Sequence, residues 1–558
     1  MNEWQPTDGI EPTKELMDVI NSTGSIAVLA GAGSGKTELL AQKSSYLFMC
    51  KKSLWPKRIL SLTSKVEAQS NIKKRINKRC GLDSERFDSF TFHAFCKSIV
   101  DRFKASLPEA IRPVDNYDIV FRQSEAHGNI RILMSDIIGL AIGILEARHD
   151  IRQLFSHTYE YVFVDEFQDV TPEQYQLLIL LFQNTATEII AVGDINQCIM
   201  VFAGARKTVF NEFLSDFSAQ SMHLLKNHRA SLEIQGRLSS FLSCINEDDF
   251  MGDSIESTDN CTINFFDGEF DEANFIVDEI IKLSANGVCL DDICILTKQH
   301  ASSYTEKVRE KLSINGINNL DVSDLRDLLN EPVGQLFSFF LEAITDSTPK
   351  VITKLHEINL SLNKIDCFDD REEKLYIDLV HYIVLQKERL MICDKIDSVV
   401  QYVYSFIDFL GKSKIKSRWK QYKSNTYLNK VVQNLEVHFR TMCSQANSLQ
   451  EAVKLFRTEN TVQVMNIHKC KGLEYKAVFF VGLEDQAFWN YNKAQFEDNC
   501  AIYVALSRAK EKIYITYSSY RSHRSVNRYY DNRISTRKSL KLIYNYLANE
   551  CKFICVEH

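Results

Sequence analysis

The stretch Ser25-Ile-Ala-Val-Leu-Ala-Gly-Ala-Gly-Ser-Gly-Lys-Thr37 decides the fold. Its apolar run, Ile26 to Ala30, reads as a buried parallel strand, and Glu38 to Phe48 (ELLAQKSSYLF) continues with helical spacing. Strand, glycine-rich turn and helix follow in the order that a phosphate-binding loop requires. Gly31, Gly33 and Gly35 let the backbone turn tightly with its amides toward a β-phosphate. Lys36 adds charge at the β- and γ-phosphates, and Thr37 offers a hydroxyl to Mg²⁺. Ala30 stands where the general pattern has its first glycine, a small substitution the loop tolerates. Ala32, Ser34 and Glu38 complete the candidate nucleotide-binding stretch.

A phosphate loop needs carboxylates beside it. Tyr161-Val-Phe-Val-Asp165-Glu166 supplies them at the end of a second apolar strand. Asp165 is placed to hold Mg²⁺ and Glu166 to polarise the attacking water. A third strand, Glu188-Ile-Ile-Ala-Val-Gly193-Asp194, is followed by Gln197, which suits a γ-phosphate sensor.

Composition bounds the rest. At about 100–200 residues per domain, 558 residues imply three or four domains, and a 45% hydrophobic content gives each a core. With 66 basic against 73 acidic residues and a net charge of −7, phosphate backbones must be met by local patches. The 8 prolines and 20 glycines exclude long flexible linkers and low-complexity arrays. Fifteen cysteines form no CxxC pair; the nearest spacings, Cys289 with Cys294 and Cys551 with Cys555, match neither a zinc ribbon nor a redox dithiol. Structural thiols of a reducing compartment are the better reading. No window approaches the ~18 apolar residues of a membrane span, so a soluble cytoplasmic protein without a membrane role is expected.

Six blocks in order, AGAGSGKT, VDEFQD (164–169), GDINQCI (193–199), NHR (227–229), MNIHKCKGLEY (465–475) and YVALSRAK (503–510), resemble the superfamily 1 helicases of the UvrD, PcrA and Rep type. The resemblance spans residues 26–516 and implies an α/β fold of two RecA-like lobes, parallel sheets flanked by helices, with ATP between them. Lobe 1A is expected over 1–100 and 151–225, and lobe 2A over 226–330 and 458–558. A short helical insert, 1B, is expected over 101–150 and a larger one, 2B, over 331–457. DICILT (292–297), VQVMNI (462–467), AVFFVGL (477–483) and KIYITY (512–517) read as the short buried strands that a second lobe needs. Carried over by position, Arg229 and Arg508 act as arginine fingers, Glu474 contacts the ribose, and Gly472 admits the backbone to the nucleotide. Gln5, Lys14 or Trp4 reads the adenine; the three remain open.

For nucleic acid, the resemblance assigns Thr63, Thr91, His93, Phe202 and His468 to one strand, held through hydroxyls, amides and aromatic faces. Met200 and Ala203 stand where the family usually has a tyrosine and an arginine, and Ser64 replaces a stacking phenylalanine. Stacking is worth about 1–3 kcal/mol per base, so the grip on each base is weakened. Three basic stretches offer positive surface: Lys73 to Arg79, Lys412 to Lys423 (KSKIKSRWKQYK) and Arg521 to Lys541.

The function so implied is an ATP- and Mg²⁺-dependent helicase or translocase, 3′ to 5′ on single-stranded DNA, in repair or anti-phage defence. Its expected partners are single-stranded or partly duplex DNA and a nuclease such as the OLD-family enzyme of Gabija-type systems. The alternative is a DNA-stimulated ATPase that senses nucleic acid and regulates a partner nuclease without processive unwinding.

Overall fold

The computed structural model describes residues 4–7, 9–63, 66–115, 117–120, 122–224, 226–246, 258–322, 325–346, 348–365, 371–423, 425–522 and 534–558. Among the described residues eight strands precede residue 225: β1 (Ile26–Ala30), β2 (Arg58–Thr63), β3 (Phe87–Thr91), β4 (Asp118–Val120), β5 (Arg131–Leu133), β6 (Tyr159–Asp165), β7 (Glu188–Gly193) and β8 (Gln220–Leu224). Six of them form one parallel sheet in the order β3-β2-β6-β7-β1-β8. β1, β6 and β7 are apolar almost throughout because helices cover both faces of the sheet.

A second parallel sheet is built from β9 (Cys261–Phe266), β10 (Ile293–Thr297), β11 (Asn319–Asp321), β12 (Val462–Asn466), β13 (Tyr475–Val481), β14 (Ala509–Ser518) and β15 (Ile554–Glu557). Its order is β11-β12-β10-β13-β14-β9-β15. The four second-lobe strands read from sequence are β10, β12, β13 and β14, and they form its contiguous centre. Two RecA-like α/β lobes are thus present.

Between β11 and β12 the described chain is helical, from Leu325–Asn330 to Leu449–Phe456. A proline begins the helix Pro332–Thr345, where no intrahelical N–H is needed. Its Phe340 stacks on Phe406 at 4.2 Å, and Phe337 packs on Phe439 and Phe456. The segment 101–150, expected to be helical, also carries the short parallel ladder β4-β5 beside the helix Asp136–Ala147. Among the described residues no helix is long and apolar enough to cross a membrane, and the cysteines are free thiols.

Candidate functional site

The phosphate loop leaves β1 at Ala30, which is buried, and Gly31 N donates to Leu224 O at 3.1 Å, fastening the loop to β8. Ser34 Oγ and Lys36 Nζ both donate to Gly31 O, at 2.9 and 3.3 Å. The helix Lys36–Met49 starts at Gly35, at φ +85°, with no side chain capping it. Its first-turn amides therefore stay available to an anion. Gly33, at φ +72°, is indispensable, because a Cβ there would lie 2.2 Å from Asn227 Oδ1. His228 N donates to Gly33 O at 3.0 Å, so the segment 227–229 seats Arg229 against the loop. Ala32 is buried in a core otherwise drawn mainly from the second lobe.

The carboxylates converge on the same place because β6 and β7 are adjacent and parallel, and their C-terminal ends lie at one edge. Thr37 Oγ1 donates to Asp165 Oδ2 at 3.2 Å, across 128 residues of sequence. Burial, and next the charge of Glu166, push the Asp165 carboxyl up to about 6, against the pull of Lys36 and Thr37. Glu166 is held in the left-handed region, at φ +54°, a conformation rare for a non-glycine residue. Its Oε2 accepts from Gln168 Nε2 at 2.6 Å.

From Glu166 a run of hydrogen bonds crosses the cleft. Gln168 Oε1 accepts from Asp194 N at 2.9 Å, Gln197 Nε2 donates to Asp194 Oδ2 at 2.7 Å, and Arg508 Nη2 donates to Gln197 Oε1 at 3.3 Å. Gly193 makes room for it, since a Cβ there would meet Gln168 Oε1 at 2.2 Å. Lys471, from the second lobe, donates to Asp169 Oδ2 at 2.6 Å and to Gln197 O at 3.1 Å, and lies 3.8 Å from Glu166. Burial lowers the Lys471 pKa, but Glu166 and Asp169 outweigh it and raise it overall. Gln168, Asp169 and Lys471 carry no role legible in the sequence, although all three lie inside the blocks VDEFQD and MNIHKCKGLEY.

Arg508 is 1% exposed and also donates to Leu473 O, Val504 O and Ser507 Oγ. Arg229 pairs with Glu474 at 2.6 Å, which in turn holds Lys510 at 2.7 Å. Burial, and then the like charge of Arg508, lower the Arg229 pKa despite that pairing. Gly472, at φ +94°, has open space where a side chain would stand. Glu38 points elsewhere, into ion pairs with Arg75 and Arg79 on the helix Val66–Cys80. Of the adenine candidates, Trp4 is buried edge-on to Tyr46, whereas Gln5 and Lys14 are exposed.

The nucleic-acid candidates divide into two groups. Thr63 and Thr91 are register partners at the ends of β2 and β3; Thr63 is buried, and Thr91 Oγ1 caps the helix Phe92–Phe103 by accepting from Ala94 N. Phe202 is 70% exposed and meets His468 of the other lobe edge-on at 5.4 Å. His93, its pKa lowered by burial, lines a cavity of about 920 Å³ together with His468, Met200 and Ala203. Ser64 lies outside the described residues.

The basic stretches are less exposed than their composition implies. Tyr422 and Ile415 are wholly buried, so KSKIKSRWKQYK keeps one face in the core. Arg521 is buried too, bound to Glu272 at 2.6 Å and Glu484 at 3.0 Å, and Arg537 stacks on Phe265 at 4.0 Å. Residues 523–533 lie outside the described residues.

Two parallel α/β lobes, a phosphate loop with its carboxylates on one and arginines reaching from the other, define a two-lobed P-loop nucleotide hydrolase. A UvrD/REP helicase N-terminal domain model matches residues 13–127 and 114–218, and a UvrD-like helicase C-terminal domain model matches residues 222–520. The ATP-dependent DNA helicase PcrA of Staphylococcus aureus is 24% identical over 630 residues, covering 91% of this chain and 83% of that protein. PcrA of Staphylococcus epidermidis is 24% identical over 621 residues, covering 90% and 82%. The chain belongs to the UvrD-like helicase family and is an ATP-hydrolysing helicase of that kind.

Proposed function

We propose that this chain is an ATP- and Mg²⁺-dependent helicase that steps along single-stranded DNA, 3′ to 5′, by closing and opening its two lobes. The observation that carries it is the hydrogen-bond run from Glu166 through Gln168, Asp194 and Gln197 to Arg508, which ties the hydrolytic carboxylate to the opposite lobe. Lobes 1A and 2A take the residues assigned from sequence, with 101–150 and 331–457 as the inserts 1B and 2B.

Thr37 and Asp165 fit Mg²⁺, which takes one or two protein oxygens and fills its octahedron with phosphate and water. When bound, the ion neutralises charge developing on the phosphates. Lys36 and the amides following Gly31 hold the β- and γ-phosphates, and Glu166 orients and deprotonates the attacking water. Arg229 and Arg508 stabilise the γ-phosphoryl group. Glu474, which holds Arg229, contacts the ribose beside Gly472. Gln197 touches Asp194 and Arg508 together, so a change at the γ-phosphate passes to the strand-holding residues Phe202 and His468 nearby in sequence and space. Thr63, Thr91 and His93 hold the strand on the first lobe.

Single-stranded DNA is expected to stimulate ATP hydrolysis severalfold, and an unstimulated rate rules out the nucleic-acid reading. Met200 and Ala203, in place of a tyrosine and an arginine, favour a second reading, a DNA-stimulated sensor ATPase that regulates a partner nuclease. Robust hydrolysis without strand displacement selects it. Co-purification of the native chain with its neighbours decides between repair and anti-phage defence, and identifies any OLD-family nuclease partner.

A further inference from the structure

The helix Gln495–Leu506 of the second lobe lies along the first-lobe segment 195–207. Arg508, just past the helix, donates to Gln197 Oε1 at 3.3 Å, and the Cys500 thiol donates to Ile195 O at 3.8 Å. Further toward the start of the helix, Glu497 Oε1 accepts from Phe202 N at 3.4 Å, and Lys207 Nζ stands 5.0 Å from the Phe496 ring. Ser507 continues the helical conformation past Leu506. Glu497 and Arg508, eleven residues apart or about three turns, therefore share nearly one face and lie ~16 Å apart along the axis. The helix is fixed to its own lobe: Lys298, just after β10, pairs with the buried Asp498 and lies 4.3 Å from the Phe488 ring, and the Tyr491 hydroxyl donates to Asn499 Oδ1 at 2.9 Å. A movement of the second lobe carries Glu497 and Arg508 together.

The bond to Phe202 answers a need of the short turn Val201–Ala203. The first amides of such a turn have no acceptor within it, and the side chain of Met200, which precedes it, gives them none. Glu497 supplies a carboxylate from the opposite lobe instead. Burial holds that carboxyl above its usual range, against the pull of the Phe202 amide. The neighbouring acid, Asp498, is taken by Lys298. A ring that is 70% exposed, as Phe202 is, has little packing to fix it, so its place depends on the turn that carries it.

We propose that Glu497 is a positioning residue that couples the nucleotide to the strand. With the lobes closed and Arg508 against Gln197, Glu497 fastens the turn and presents Phe202 to a base. As the lobes part, the carboxylate leaves with the second lobe and the turn loses its anchor. One helix thus serves the γ-phosphate at its Arg508 end and the strand at its Glu497 end. This inference rests on the single-strand reading given above, in which Phe202 holds the strand.

The test is fluorescence anisotropy of labelled oligo(dT) with the full chain, without nucleotide and with a non-hydrolysable Mg-ATP analogue. Glu497→Ala is expected to weaken binding about 2- to 10-fold with the analogue, the loss of one hydrogen bond, and by less than about twofold without it. Glu497→Met, of similar length but with no oxygen acceptor, is expected to match Glu497→Ala, and it stands in should the alanine variant fail to fold. Glu497→Gln, whose side-chain oxygen still accepts from the Phe202 amide, is expected to keep most of the wild-type affinity, which separates the hydrogen bond from packing. Thermal melts identify the variants that keep the fold. In a Phe202→Ala background, Glu497→Ala is expected to cost nothing further. Wild-type affinity in Glu497→Ala and Glu497→Met with the analogue, equal losses in the two nucleotide states, or a full further loss in the Phe202→Ala background would each overturn this role and leave the proposed function standing. A wild type that binds no oligo(dT) in either state overturns both.

Discussion

Lys471 and Asp169, 302 residues apart, form a buried ion pair of 2.6 Å between the two lobes, with Glu166 3.8 Å from the same ammonium. The lobe that carries Arg508 is therefore locked onto the carboxylate cluster of the other beside Glu166.

Removing one partner of a buried pair strands the other charge, which costs about 3–5 kcal/mol. Lys471→Ala should lower the melting temperature clearly, and adding Asp169→Asn should recover part of the loss. Equal melts for Lys471→Ala and wild type would contradict the interlobe lock.

The hydrolytic assignments are tested by Lys36→Ala and Glu166→Gln. The first removes a phosphate-binding charge, worth about 10²- to 10³-fold in turnover. The second removes the general base, worth about 10²- to 10⁴-fold. Either variant hydrolysing ATP at the wild-type rate would refute the site.

Asp165 predicts a pH dependence. Its carboxyl is pushed up to about 6, above its unfolded value, so the folded chain holds that proton more tightly than the unfolded one. The stability it contributes is present below the unfolded value and is lost as pH rises through about 6. Mg²⁺ needs the ionised form, so kcat/KM for Mg-ATP should fall toward tenfold per pH unit below about 6. A flat profile from pH 7 to 5 would count against Asp165 as a metal ligand.

Phe202→Ala and His468→Ala should each weaken oligo(dT) binding by about 1–3 kcal/mol, since the two rings meet at the lobe boundary. A titration that superimposes on the wild type would remove this pair from the strand path.

The strands that carry the phosphate loop and its carboxylates are legible in the sequence, because β1, β6 and β7 are buried almost throughout and read as continuous apolar runs. Edge strands are not. β8 and β15 alternate or expose their residues, QSMHL and ICVE, and carry no apolar run. Long-range pairing is equally hidden: Arg521 reads as the start of a basic stretch because its partner Glu272 stands 249 residues away. In KSKIKSRWKQYK the inward face is carried by Ile415 and Tyr422, which stand among the cations and are wholly buried.

The decisive measurement of helicase action is strand displacement by the chain alone, with ATP and Mg²⁺, from a duplex bearing a 3′ single-stranded tail. Displacement is expected to need ATP, to fail on a 5′-tailed duplex and to disappear in Glu166→Gln. Vigorous DNA-stimulated hydrolysis with no strand released from either duplex would contradict it.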